Sequence, residues 1–214
     1  MADKPIIFSA AMVQALLAGR KSQTRRLLKP QPIANGFWRD KPRPEPCGWG
    51  QEQWDKIYSG EFPDGFRCAQ SLPYDTGDRL WVREAWRVGL AYDDMKPSAL
   101  MGDEIVDYLA TTTTASWSMG RKRSPIHMPR WASRLTLTVT DVRVERLQDI
   151  SEADAIAEGG KAFFDEENPE MMGIVDFRRI WNSIHGPEAW AANPWVVALT
   201  FRVEHRNIDD GEPR

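Results

Sequence analysis

The run from Leu135 to Leu147 constrains the fold more than any other stretch, because its apolar residues recur at the two-residue period that only a β-strand can use. The apolar phase begins on Leu135, Leu137 and Val139 and then shifts to Val142 and Val144. Such a shift is expected where a bulge bends one long strand round the corner of a barrel. Trp195 to Val203 alternates again through Val197, Leu199, Phe201 and Val203, Gly77-Asp78 turns into a strand from Arg79 to Glu84, and Pro5 to Ser9 gives a short β run. Three helices fit between them. Ser9 can cap one whose apolar side is Met12, Val13, Leu16 and Leu17 and which Gly19 ends, and Ser151 with Asp154 opens a second over 152 to 158, ended by Gly159-Gly160. A third runs from Asp176 to Ile184 and presents Phe177, Ile180, Trp181 and Ile184. The expected fold class is α+β: one domain over residues 1 to 214, a small, strongly bent β-barrel with flanking helices and two long insertions.

The insertions are marked by composition. Residues 30 to 76 hold prolines at 30, 32, 42, 44, 46, 63 and 73 together with Trp38, Trp49 and Trp54, which excludes long helices yet demands packing. Residues 90 to 125, with the run Thr111 to Thr114 and the basic Arg121-Lys122-Arg123, read as a lid or flap. Across 214 residues no apolar run approaches the roughly 18 needed to cross a bilayer, and nothing at the N-terminus resembles a signal peptide. A cytoplasmic location without membrane contact is therefore expected, with Cys47 and Cys68 as free thiols. Neither cysteine belongs to a ligand array and His127, His185 and His205 are scattered, so no metal and no cofactor is expected. The net charge of -3 conceals acid-free basic stretches around Arg20 to Lys29 and Arg121 to Arg134, set against an acidic segment from Asp149 to Glu170. This asymmetry suits a small polar ligand or a short single strand better than long duplex tracking, and solvated faces without a partner are the plain alternative.

Chemistry concentrates in Gly19-Arg20-Lys21-Ser22-Gln23-Thr24-Arg25-Arg26, at the end of the first helix. If the chain runs extended after Lys21, Thr24 and Arg26 point to one side and Arg25 to the other. A threonine hydroxyl becomes a nucleophile when a neighbouring base takes its proton, and a lysine serves as that base when burial or a second cation disfavours its charged form. An arginine fork can hold the oxygen on which charge develops. Spacing alone also allows a basic helix end that merely complements the helix dipole.

Gly19, Lys21, Thr24 and Arg26 match the GxKxxTxR signature, and with the ordered elements above the chain resembles the ASCH domain, a β-barrel related in fold to the PUA RNA-binding domains. The resemblance covers nearly everything but the two insertions. Its best-defined enzymatic branch removes the acetyl group from the exocyclic nitrogen of N4-acetylcytidine, with the signature lysine and threonine and a glutamate near the end of the helix after the long strand. By that resemblance Lys21, Thr24 and Glu158 are the catalytic candidates. This chain is about twice the length of those enzymes.

Arg26 then joins the substrate-binding candidates. Trp81, Trp86 and Trp131 can stack a pyrimidine or simply fill core. Glu84, in phase with Leu80 and Val82, can accept from a cytosine amine or pair with Arg26, and Arg130 sits in a rigid basic aromatic loop, His127 to Trp131. The leading expectation is an amidohydrolase acting on an N4-acylated cytidine or related nucleoside. The alternatives are a noncatalytic module gripping single-stranded RNA or a modified base, and a metal-independent ribonuclease.

Overall fold

The computed structural model describes residues 2–29, 31, 72–112, 118–160 and 172–210. Each alternating run becomes a strand: β1 (Asp3–Ile7), β2 (Gln23–Leu27), β3 (Arg79–Arg83), β6 (Thr136–Arg146) and β7 (Trp195–Glu204), joined by two short strands, β4 (Trp86–Val88) and β5 (Val106–Tyr108). The helices are α1 (Ala10–Leu17), α2 (Glu152–Ala157) and α3 (Met172–His185). The class is α+β. Five strands form one sheet in the order β1-β3-β6-β7-β2, while β4 pairs with β5. Among the described residues, no pairing between the outer strands β1 and β2 closes this sheet into a barrel. The insertion expected at 30 to 76, with both cysteines, lies almost wholly outside the described residues. The chain divides into two compact units, each assembled from separated stretches.

The first unit takes residues 1–22, 77–140 and 201–214. Here β1 runs parallel to β3, with Ile6 opposite Val82, and β3 runs antiparallel to the start of β6, with Leu80 opposite Leu137. These four side chains are buried, as the alternation requires. Helix α1 buries Val13, Ala15 and Leu16; Ser9 stands at its cap position without a side-chain bond, and Gly19, at φ +68°, makes the left-handed exit. Arg20 and Lys21 then both donate their backbone N–H to the Ala15 carbonyl, at 2.9 and 3.2 Å. The stretch read as a flap is built into this unit. Its β5 pairs with β4, Leu100 joins Trp86, Val88, Met128 and Ala132 in a core cluster, and Arg123 donates to the carbonyls of Tyr92, Asp93 and Met95. Further along, Asn207 Nδ2 donates to the carbonyls of Arg130, Trp131 and Ser133, at 2.9, 3.0 and 2.7 Å, which pins the loop before β6.

The second unit takes residues 23–76 and 141–200. Here β2 runs antiparallel to β7, with Thr24 opposite Leu199 and Arg26 opposite Val197. Its core is Leu147, Ile150, Ala155, Phe177, Trp181 and Val196. Ser151 Oγ accepts from the Asp154 N–H at 3.1 Å and Gly159, at φ +91°, ends α2, so both helix signals operate as read. Helix α3 starts at Met172, four residues before the expected Asp176, because its opening N–H groups at Gly173 and Ile174 bond to the Glu152 carboxylate on α2. A Cβ on Gly173 would come within 3.2 Å of the Glu152 carbonyl oxygen and 3.1 Å of Ile156, so a larger residue there would press on α2. Ile184, read as part of the apolar face, is 55% exposed; the face closes on Phe177 and Trp181, whose rings lie 5.8 Å apart. Thr140 and Asp141 are both exposed between buried Val139 and Val142, so the phase shift in β6 is real.

Candidate functional site

In the second unit, β2 carries the buried Thr24 and Arg25, and the end of α2 brings Glu158 to Arg25 from another part of the chain. The Arg25 side chain has no exposed surface. Its Nη1 donates to Glu158 Oε1 at 3.3 Å, its Nη2 to Asp154 Oδ2 at 3.2 Å, and its Nε to Glu145 Oε1 at 2.8 Å. Three carboxylates therefore share one guanidinium. Arg143 relieves the excess negative charge from β6, lying 3.5 Å from Asp154 and 4.0 Å from Glu145. Burial pushes the Asp154 carboxyl upward, but the hydrogen bond from Gln23 and the charges of Arg143 and Arg25 outweigh it and hold the group below its ordinary value.

Arg26, next along β2, is partly withdrawn from water, which lowers its pKa from the usual guanidinium value; Tyr74 and Glu158 act in the opposite sense. Glu158 thus interacts with both Arg25 and Arg26 of the octet. His185, at the end of α3, has its ring 4.3 Å from that of Trp181, and its pKa is lowered by burial and then by the positive charges of Arg26 and Lys29.

The remaining candidates belong to the first unit. Lys21 is buried, its Nζ 5.5 Å from the centroid of the Phe8 ring. Glu84 is buried too, and its arginine is Arg134, which donates from Nε and Nη2 to both carboxylate oxygens at 2.8 and 3.0 Å. Trp81 is buried under the Arg83 guanidinium, 4.4 Å from its ring, and Trp86 is fully buried in the core cluster that Trp131 packs against. Arg130 is engaged by Asp209 and Asp3, which raise its pKa further above the ordinary value.

The fold therefore brings Arg26 and Glu158 together, with Thr24 two residues from Arg26 on the same strand. It commits Glu84 and Arg130 to intramolecular ion pairs. Sequence reasoning missed the grip of Arg25 on the three carboxylates; it offered Arg25 as a residue pointing away from Thr24 or, like Arg26, as a second cation beside Lys21. The available signal was the spacing of Asp154 and Glu158, four residues apart on one helix face, opposite a strand that carries an arginine.

Among the described residues no group of three or more His, Cys, Asp or Glu is arranged to hold a metal ion, and no helix is long and apolar enough to cross a membrane. No family model matches the chain, and no curated protein or solved structure matches it either.

Proposed function

We propose that the protein is an amidohydrolase of the ASCH type, with a PUA-like barrel, that removes the acyl group from an N4-acylated cytidine or a related pyrimidine nucleoside. One observation carries the reading. Lys21 and Thr24 at the signature positions and Glu158 near the end of α2 are only 1%, 3% and 8% exposed. Lysine and glutamate are the side chains least often withdrawn from water, so burial at those positions asks for a chemical reason.

In this reading Thr24 Oγ bonds to the acyl carbon while its proton passes to Lys21, carried three residues ahead of it in the same octet. The carbonyl electrons move to the oxygen, which Arg26 stabilises; a partly dehydrated guanidinium does so more strongly than one in water. The carbon–nitrogen bond then breaks, its electron pair stays on the exocyclic nitrogen, and that nitrogen takes the proton. Water next attacks the acyl-threonine and gives a proton to Glu158, the acid departs, and the proton returns to Thr24. The sum is amide plus water to acid plus amine.

The test incubates the purified protein with N4-acetylcytidine, N4-benzoylcytidine and a short RNA. Released acid is expected, with turnover falling by about 10²- to 10⁴-fold in each of Lys21→Ala, Thr24→Ala and Glu158→Ala while circular dichroism stays as in the parent. Cut RNA, or salt-sensitive RNA binding with no change in any substrate, would overturn the proposal in favour of a ribonuclease or a binding module.

A further inference from the structure

We infer that Arg25 is a positioning residue for Glu158, aiming its carboxylate from β2, and that Glu145 and Asp154 tune this grip by competing for the same guanidinium. The catalytic half of the inference rests on the reaction proposed above; the positioning half rests on geometry alone. The Arg25 side chain has no exposed surface, so its charge is directed entirely at its neighbours and little of it is lost to water. The contacts are unequal. Glu145 Oε1 lies 2.7 Å from Nη2 and 2.8 Å from Nε, whereas Glu158 Oε1 is 3.3 Å from Nη1. Glu158 and Asp154, at 3.3 and 3.2 Å, therefore hold the fork by one long contact each, Gln23 Oε1 accepts from the same Nη1 at 3.4 Å, and Glu145 is the strong competitor on the opposite edge.

Glue would be shared evenly, or would favour the most buried acid. Here the most buried of the three, with 5% of its side chain exposed against 16% for Glu145 and 19% for Asp154, lies farther from the guanidinium than Glu145 does, at 3.3 against 2.7 Å. That is the arrangement for a carboxylate that must be aimed and still exchange a proton.

Among the described residues Glu158 interacts with Arg25 and Arg26 from β2; Arg25 also meets Glu145 from β6 and Asp154 from α2, which Arg143 approaches, and Arg26 interacts with Tyr74 from the segment before β3. Helix α3, packed on α2, adds Asp176 and Arg179, which pair with each other, and His185, which interacts with Arg26. Among the described residues, the carboxylates that share Arg25 with Glu158 are those of Glu145 and Asp154, and Gln23 Oε1 is a neutral fourth acceptor. Neutralising Glu145 removes a nearby negative charge and frees the fork for Glu158. Removing Arg25 does the opposite. A residue that only held the fold together would not give effects of opposite sign.

The experiment follows the carboxyl carbon resonance of Glu158 by NMR across pH in the parent, Arg25→Gln, Arg25→Lys and Glu145→Gln, with kcat and KM for N4-acetylcytidine measured in parallel. Expected are a higher inflection in Arg25→Gln, a smaller rise in Arg25→Lys and a fall in Glu145→Gln. In turnover, kcat should drop at least 10-fold in Arg25→Gln with KM within 2-fold, and Arg25→Lys should recover part of it. Inflections that stay with the parent, while the parent deacylates, overturn the inference and leave the proposed function standing. Inflections that move as expected in a protein without deacylase activity support the positioning and overturn the proposed function. Should Arg25→Gln fail to fold, Arg25→Lys and Glu145→Gln still decide by the direction in which each moves the inflection.

Discussion

Arg25 in the second unit and Arg130 in the first are both arginines gripped by carboxylates, and the solvent around them makes them different devices. Arg130 meets Asp209 and Asp3, and Asp3 in turn accepts from Arg79 at 2.9 and 3.0 Å, so the cluster ties β1, β3, the loop before β6 and the stretch after β7. The Arg130 side chain is 36% exposed and that of Asp209 50%, so each charge keeps much of its hydration and the cluster fixes position at little energetic stake. Arg25 has lost all contact with water. Its charge has only protein groups to answer it, and any partner removed leaves another uncompensated. Surface ion pairs register the chain; the buried cluster holds charges whose placement must be controlled.

The largest test of this contrast is Arg25→Ala. It should cost about 3 kcal/mol in urea unfolding, the low end for a broken buried pair because Glu145 and Asp154 retain some access to water. Next comes Arg130→Ala, expected to cost between about 0.2 and 1 kcal/mol, with the difference shrinking in 1 M salt while that of Arg25→Ala persists. Equal costs for the two variants would break the comparison. Smallest is the acid dependence of the exposed cluster. The hydrogen bond from Arg79 and then that from Arg130 hold the Asp3 carboxyl below its ordinary value, and the bond from Arg130 does the same for Asp209. Folded values below unfolded ones mean that this stabilisation is complete above the unfolded value near about pH 4 and is lost as pH falls through the folded values. Asp3→Asn should therefore flatten the loss of stability measured between pH 5 and pH 2.

How far the sequence foretold this molecule depends on the distance over which each signal acts. Gly19 and Gly159 end their helices as read, and Ser151 caps α2, because these effects reach only three or four residues. The shift of phase between Val139 and Val142 was visible for the same reason. Alternation along β2 says nothing of distant partners, so nothing local could show that Arg25 meets Glu145, 120 residues on, and Glu158, 133 residues on. The start of α3 was misjudged because its cap is Glu152, a side chain of another helix. Residues 90 to 125 read as a flap from their polar composition, whereas a few apolar anchors, Leu100 above all, and the carbonyls held by Arg123 suffice to build that stretch in. Of the candidate site, the octet stood out as residue types at a spacing and Glu158 entered through the resemblance; the commitment of Glu84 to Arg134 and of Arg130 to Asp209 was not legible, since an ion pair across 50 or 79 residues leaves no periodic trace.

The reach of Glu152 to the first turn of α3 has one more consequence. The two helices are tethered twice, once through the peptide chain and once by a carboxylate over Gly173 and Ile174. Were the backbone severed between them, the second tether and the shared apolar core around Phe177 and Trp181 would still hold the fragments in register, so Glu158 would stay at its post in a protein made of two pieces.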